Sequence, residues 1–352
     1  MKTALAHPAV LAALGAAVLF GASTPLAKQF TGNLPALLLA GLLYLGSGIG
    51  LTLVRLIRDR GWKSPQLRSS EWPWLLGAIL FGGLLGPVLL MAGLARTHAS
   101  TASLLLNLEG VLTALLAWIA FRENADRRIV FGMMLIVAGG VVLSWSAGAS
   151  EQRGWLGPSA IAAACLCWAI DNNLTRKVST ADAVFVGASK GVAAGAANTT
   201  LGLLFAPPVA DAWRMVAPTM LVGFLGYGVS LVLFVLALRG LGAARTGAYF
   251  STAPFIGAAV AILVFAEPAT VTFWLAAALM GVGVWLHLTE RHEHEHTHVL
   301  LEHAHSHVHD AHHRHEHDFS WDGREPHNHP HRHQPVTHTH PHFPDVHHTH
   351  SH

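Results

Sequence analysis

The chain has 352 residues, of which 52% are apolar and only 12% charged, with a formal net charge of +2, a mixture that suits lipid-facing helices better than a water-washed domain. Its basic residues are scattered through short connections and form no contiguous basic surface, which excludes nucleic acid as a partner. Residues 1–290 carry eighteen Lys/Arg against eleven Asp/Glu, whereas 291–352 carry four against nine together with twenty-three of the twenty-six histidines. Two different physical objects therefore meet near Glu290.

Crossing roughly 30 Å of hydrocarbon takes about twenty apolar residues. Runs of that kind predict ten transmembrane helices, at 8–27, 34–57, 73–94, 99–121, 129–147, 155–175, 183–206, 214–238, 243–265 and 270–289. The first follows Lys2 and ends in small residues like a secretory leader, but it is long for one and recurs later in the chain, so it reads as a retained helix. The connections are too short for a soluble catalytic domain. Thirteen Lys/Arg fall at one set of helix ends, among them Arg55, Arg58, Arg122 and Arg239, and only Lys28, Arg96, Arg153 and Arg214 at the other. By the positive-inside rule both termini are cytoplasmic, as in a multi-pass protein of the bacterial inner-membrane type. Cys165 and Cys167 leave a helix on nearly opposite faces and read as packing residues.

The chain also repeats itself. Shifted by 144 residues, Leu94 to Asn124 lies over a second copy without gaps, with Glu123 over Glu267; shifted by 148, FGASTPLAK from Phe20 lies over WAIDNNLTR from Trp168. The units are a first five-helix repeat at 1–147, a second at 148–290 and a tail at 291–352. Five is odd, so the second repeat enters the membrane from the opposite side, the inverted geometry of many secondary transporters. FGASTPLAK, WAIDNNLTRK and the paired Glu123 and Glu267 together resemble the drug/metabolite transporter superfamily of EamA type. The resemblance covers roughly residues 10–288. It implies ten helices around a central path, alternating access, and export of amino acids, metabolites or drugs.

Glu109 falls halfway along the fourth span, where an ionisable side chain costs at least about 2.5 kcal/mol unless it faces protein or water. Its repeat counterpart is Ala253, so packing does not require an acid there. Asp171, Asn172 and Asn173 close the sixth span with Thr175 and Arg176, and an acid at 171 selects a cationic group or metal or pairs with Arg176. Lys190 lies two turns into the seventh span, to be neutralised by Asp171 or Glu109 or to snorkel to the interface. With Asn107 these residues form the predicted substrate path, and Asn198 is a weaker polar contact. Pro25, Pro87 and Pro254 inside spans are candidate hinges. Gly46 with Gly50, and Gly82 with Gly86, have the spacing of close helix approach. Arg122, Glu123, Glu267 and His98 stand at helix ends and read as structural.

After Arg291, histidine alternates with polar residues and no core can form, so the tail is expected to be disordered without a ligand. Candidate metal ligands are His292, His294, His296 and His298; then His303, His305, His307 and His309; His312, His313, His315 and His317; and His327, His329, His331 and His333. Imidazoles on a flexible chain bind Ni, Co, Zn or Cu in many registers. No cofactor is required. The sequence reads as a multi-pass transporter, a secondary exporter of a small solute linked to divalent Ni, Co or Zn through the tail. The alternative is an amino-acid or metabolite exporter whose tail buffers metal or regulates, and a membrane-anchored metal sensor or storage protein comes third. The spans hold no nucleophile-and-base pair, which argues against an intramembrane enzyme. The partners are the lipid bilayer and the solute or metal ion, with homodimerisation left open.

Overall fold

A computed structural model describes residues 8–64, 67–121, 127–148, 154–178, 182–207 and 212–289, and in the tail 293–297, 301–307, 327–333 and 337–341. Residues 1–290 form one compact unit and 291–352 a second. The first unit is helical: α1 Pro8–Lys28, α2 Ala36–Asp59, α3 Trp72–Ala78, α4 Gly86–Arg96, α5 Ala99–Leu105, α6 Asn107–Phe121, α7 Arg127–Gly148, α8 Leu156–Arg176, α9 Ala183–Phe205, α10 Trp213–Gly223, α11 Ser230–Phe250, α12 Ala253–Leu263 and α13 Val271–Leu288. Among the described residues six stretches are long and apolar enough to cross a membrane. These are Pro8–Lys28, Ala36–Asp59, Ser69–Arg96, Ala99–Leu116, Arg127–Trp145 and Trp213–Ala237. Helices α8 and α9 are 21 and 23 residues long but carry Asp171, Asn172, Asn173, Lys190 and Asn198, which lower their hydropathy.

The predicted continuity of two spans is corrected. The fourth is two helices, α5 and α6, separated at Leu106. Residues 214–238 do not end before 243: α11 continues to Phe250, and the chain turns at Ser251 and Thr252 before α12. Shifted by 144, Leu106 falls on Phe250, so both halves break within two residues of one repeat position. A second shared feature is invisible to hydropathy. The helix widens to a π-helical segment at Ile79–Leu85 between α3 and α4, and again at Phe224–Val229 between α10 and α11. Shifted by 144, 79–85 becomes 223–229, so the duplication extends to irregular backbone.

The halves interlock. Helix α1 packs on α11 and α12 of the second half, α8 packs reciprocally on α4 and α6 of the first, and α2–α9 and α7–α13 pair across the repeat. Without a hydrophobic driving force between helices in lipid, such contacts depend on small residues that let backbones approach. On α2–α9, a Cβ at Gly48 would collide with the backbone of Gly191 and Val192, and one at Gly191 with Gly48. Gly191→Val is therefore expected to lower the thermal midpoint of the detergent-purified protein, an overpacking cost of about 1–3 kcal/mol. Gly32→Ala, at a position with nothing within 4 Å of an added Cβ, should leave the midpoint unchanged. Of the predicted close-approach glycines, Gly46 abuts the Met220 backbone and Gly50 the Phe224 ring, while Gly82 and Gly86 face side chains of α8.

At the end of the bundle holding the α2 C-terminus, the buried Arg55 donates to Asp182 (3.2 Å) and to the Lys63 carbonyl (2.8 Å), between the rings of Trp62 and Phe185. Arg58 reaches the same carboxylate at 2.5 Å. Burial opposes the charge on Asp182, but hydrogen bonds from Arg58, the Val184 N–H and Arg55 prevail and hold its carboxyl below the usual range.

In the tail, the described residues form two antiparallel pairs: β1 Glu293–Thr297 with β4 Thr337–Pro341, and β2 Leu301–His307 with β3 His327–His333. This departs from the expected absence of regular structure. The His–x–His pattern has the two-residue period of a strand, so extended pairing keeps histidines in register. His303 lies opposite His331, His305 opposite His329, and His307 opposite His327.

Candidate functional site

Widening the helix at Ile79–Leu85 leaves carbonyls without their usual donors inside an apolar bundle, where an unsatisfied group costs several kcal/mol. Three neighbouring helices supply the donors. Tyr44 Oη from α2 and Trp168 Nε1 from α8 donate to the Gly82 carbonyl at 2.8 and 3.0 Å, and Asn198 Nδ2 from α9 donates to Gly83 and Leu84, each at 3.3 Å. The equivalent segment in the second half instead places Gly226 against Ser23 and Gly228 beside Ser47. The two halves share a backbone irregularity, and in the first half its carbonyls accept hydrogen bonds from side chains of three other helices.

The carboxyl of Asp171 occupies the space where Gly82 lacks a Cβ. Asp171 is 5% exposed and accepts Lys190 Nζ at 2.5 and 2.7 Å on its two oxygens, and Thr175 Oγ1 at 2.9 Å. Lys190 therefore meets Asp171 rather than snorkelling, and its side chain is only 17% exposed. Arg176, the other partner considered for Asp171, has a side chain outside the described residues.

Glu109 lies in the first turn of α6, just past the break at Leu106. Its Oε1 accepts Asn172 Nδ2 at 3.0 Å, and the same amide lies 3.3 Å from Thr113 Oγ1. Asn173 donates to the Ala169 and Thr113 carbonyls at 2.8 and 3.3 Å, tying α8 to α6. The next residue, Gly110, is exposed with nothing within 4 Å of an added Cβ, so that face of α6 is unpacked. Among the described residues no cation is in ion-pair contact with Glu109. One acid of this cluster is neutralised and the other faces neutral donors.

An aromatic group drawn from both halves stands nearby. Tyr44 and Tyr227 have ring centroids 5.6 Å apart, Phe20 contacts Tyr227 (5.9 Å) and Phe250 (5.3 Å), and Phe250 contacts Phe234 (4.9 Å). Tyr44 links this wall to the π segment. Sequence reasoning passed over Tyr44, Trp168 and Thr113; the available signals were that Thr113 lies one turn after Glu109, and that Tyr44 is one of three tyrosines in the chain.

Other predicted residues lie elsewhere. Asn107 turns back onto the Leu104 carbonyl at 3.0 Å and toward Met280, serving the helix break rather than the cluster. Pro25 is buried within α1, whereas Pro87 and Pro254 stand in the first turns of α4 and α12, directly after the π segment and the 251–252 turn. Arg122 and Glu123 lie outside the described residues. Glu267 caps a helix of the other half: Oε1 accepts the N–H of Ala99 and Oε2 that of Ser100, both at 2.8 Å, and His98 Nδ1 is 4.0 Å away. Among the described residues, no three His, Cys, Asp or Glu side chains are grouped to hold a metal ion. The tail histidines His292, His298, His309, His312, His313, His315 and His317 lie outside the described residues.

The model of the EamA-like transporter family matches residues 7–145 and 155–289. A relative from Methanothermobacter thermautotrophicus, described as an uncharacterized transporter, is 25% identical over 285 residues, 77% of this chain and 83% of its own. A shorter relative from Pseudomonas aeruginosa is described as a probable 4-amino-4-deoxy-L-arabinose-phosphoundecaprenol flippase subunit, ArnE. It is 43% identical over 117 residues, 32% of this chain and 97% of its own. A crystal structure with 23% sequence identity superposes with a TM-score of 0.58, covering 78% of this chain and 94% of that one, and shares the fold.

Proposed function

The chain belongs to the EamA-like transporter family, and from that premise we propose that it is a secondary exporter of a small solute bearing a cationic group, with Glu109 as the group that reads the charge. The observation that carries this reading is the unequal state of the two central acids. Asp171 is satisfied by Lys190 and Thr175, while among the described residues Glu109 meets the neutral Asn172 amide and no cation. A cation arriving there replaces a neutral donor with a charged one, a stronger hydrogen bond. The aromatic wall of Tyr44, Tyr227, Phe20 and Phe250 offers faces to the rest of such a solute. The flippase subunit to which part of the chain is similar is named for an amino sugar, and an amine is the feature this reading transfers. The reading carries ten crossings in two inverted five-helix repeats, both termini cytoplasmic, and export by alternating access.

The test is flux of amine-bearing solutes from proteoliposomes, with and without a proton gradient. Solute released only down an imposed gradient and inhibited by a competing organic cation supports the reading; equal rates with empty liposomes overturn it.

A second reading, export of Ni, Co or Zn fed by the tail, is favoured by the three facing pairs His303–His331, His305–His329 and His307–His327. The backbone register sets these histidine positions opposite one another, and imidazole is a ligand for such ions. Removing residues 291–352 is expected to abolish nickel binding in equilibrium dialysis and to leave amine flux unchanged. Metal flux that falls with the same truncation would make the metal the cargo.

A further inference from the structure

Glu267 is not built to be an idle helix-end acid. It follows Ala266, a non-glycine residue in the left-handed region at φ 52°, and its own N–H closes a wide turn on the Ala261 carbonyl at 3.2 Å. That backbone conformation is unfavourable for alanine and persists only where surrounding contacts hold it. Its result is to aim a carboxylate of the second half at the start of α5 in the first half. There the N-cap residue, His98, makes no side-chain cap hydrogen bond, and Ala99 and Ser100 give their N–H groups to Glu267.

Beside this contact α5 and α12 pack closely. Ser103, one turn into α5, is 1% exposed, and its Oγ lies 2.7 Å from where a Cβ on Gly257 of α12 would sit. The repeat makes the opposite end a natural comparison. Shifted by 144, Ser103 falls on Gly247, which is exposed with nothing within 4 Å of an added Cβ. The same shift takes Ala99 and Ser100 to Ala243 and Ala244, and there α11 runs unbroken, with no helix start to cap. Sequence-equivalent positions thus differ: Ser103 is packed beside a capped helix start, and Gly247 is exposed within an unbroken helix.

We propose that Glu267 is a releasable latch that holds the mouth at the α5–α12 end shut, and that breaking its two hydrogen bonds is a step of the transport cycle. The proposal rests on the transporter reading, but its test reads accessibility rather than flux, so failure of one is distinguishable from failure of the other.

The experiment uses full-length protein in liposomes, with Cys165 and Cys167 replaced by Ala and one reporter cysteine, Ser103→Cys or Gly247→Cys, probed by a membrane-impermeant thiol reagent from each side. Two variants break the latch independently. Glu267→Gln removes the charge, and Ala99→Pro removes a donor at the first helical position, where proline is tolerated and the preceding His98 already has φ −61° and ψ 144°. Both are expected to label Ser103→Cys about tenfold faster, the shift that follows loss of a charge-assisted hydrogen bond, and to label Gly247→Cys more slowly. Unchanged Ser103→Cys labelling in both variants, each eluting as a folded species, overturns the latch. So does faster labelling of both reporters, which is general loosening rather than exchange between two states.

Discussion

Replacing Glu109 with Gln lowers solute flux in proteoliposomes by more than about tenfold while the protein keeps its thermal midpoint. The expected loss is that of a charge-assisted hydrogen bond to the solute exchanged for a neutral one. Gln retains an oxygen for Asn172 Nδ2, now 3.0 Å from Glu109 Oε1, so the α6–α8 contact survives and only the charge is removed. The repeat counterpart Ala253 shows that this point of the fold tolerates a side chain with no charge. Flux measured by counterflow, set beside thermal unfolding of the same preparation, separates the outcomes. Unchanged flux would reduce Glu109 to a packing residue and remove the proposed charge reader.

The Asp171–Lys190 pair should behave in the opposite manner. Lys190→Met leaves a buried carboxylate without its cation, and breaking such a pair by removing one partner costs about 3–5 kcal/mol. A large fall in the thermal midpoint is expected. Adding Asp171→Asn should restore most of it, because an amide at 171 can still accept Thr175 Oγ1, 2.9 Å from the carboxylate in the native protein. The double-mutant cycle then gives a coupling energy well above that of an exposed pair. A benign Lys190→Met would mean that the lysine reaches the interface and that Asp171 is held by hydrogen bonds alone. Together the two experiments assign different work to neighbouring acids, one to solute recognition and one to holding α8 against α9 and the π segment.

Much of this was legible before any coordinates. Long apolar runs located the helices because hydropathy is a local property of about twenty residues. The match of Glu123 to Glu267 revealed the duplication, and the depth of Glu109 marked it as costly in lipid. Other features were not legible for identifiable reasons. The break at Leu106 has no proline or glycine to announce it. The π segments contain mostly ordinary apolar residues and glycine, and the donors to the first of them, Tyr44, Trp168 and Asn198, come from three other helices. Tail histidines alternating along the chain suggested disorder by composition, whereas the same alternation gives facing pairs once two segments align.

Composition, periodicity and repetition are written residue by residue, so a membrane-embedded, duplicated helical protein of the EamA-like family with acids inside its apolar helices follows from the chain alone. Which acid is neutralised does not, since Lys190 could have met Asp171 or Glu109 until the packing of α8 and α9 brought it to Asp171. The tertiary structure also places Glu267 on Ala99 and Ser100, 168 and 167 residues away, and buries Ser103 where its counterpart Gly247 is exposed. The two halves share a pattern but not their residues at these positions, with Ser103 matched to Gly247 and Glu109 to Ala253 across the repeat, and the difference shows in which inter-helix contacts form.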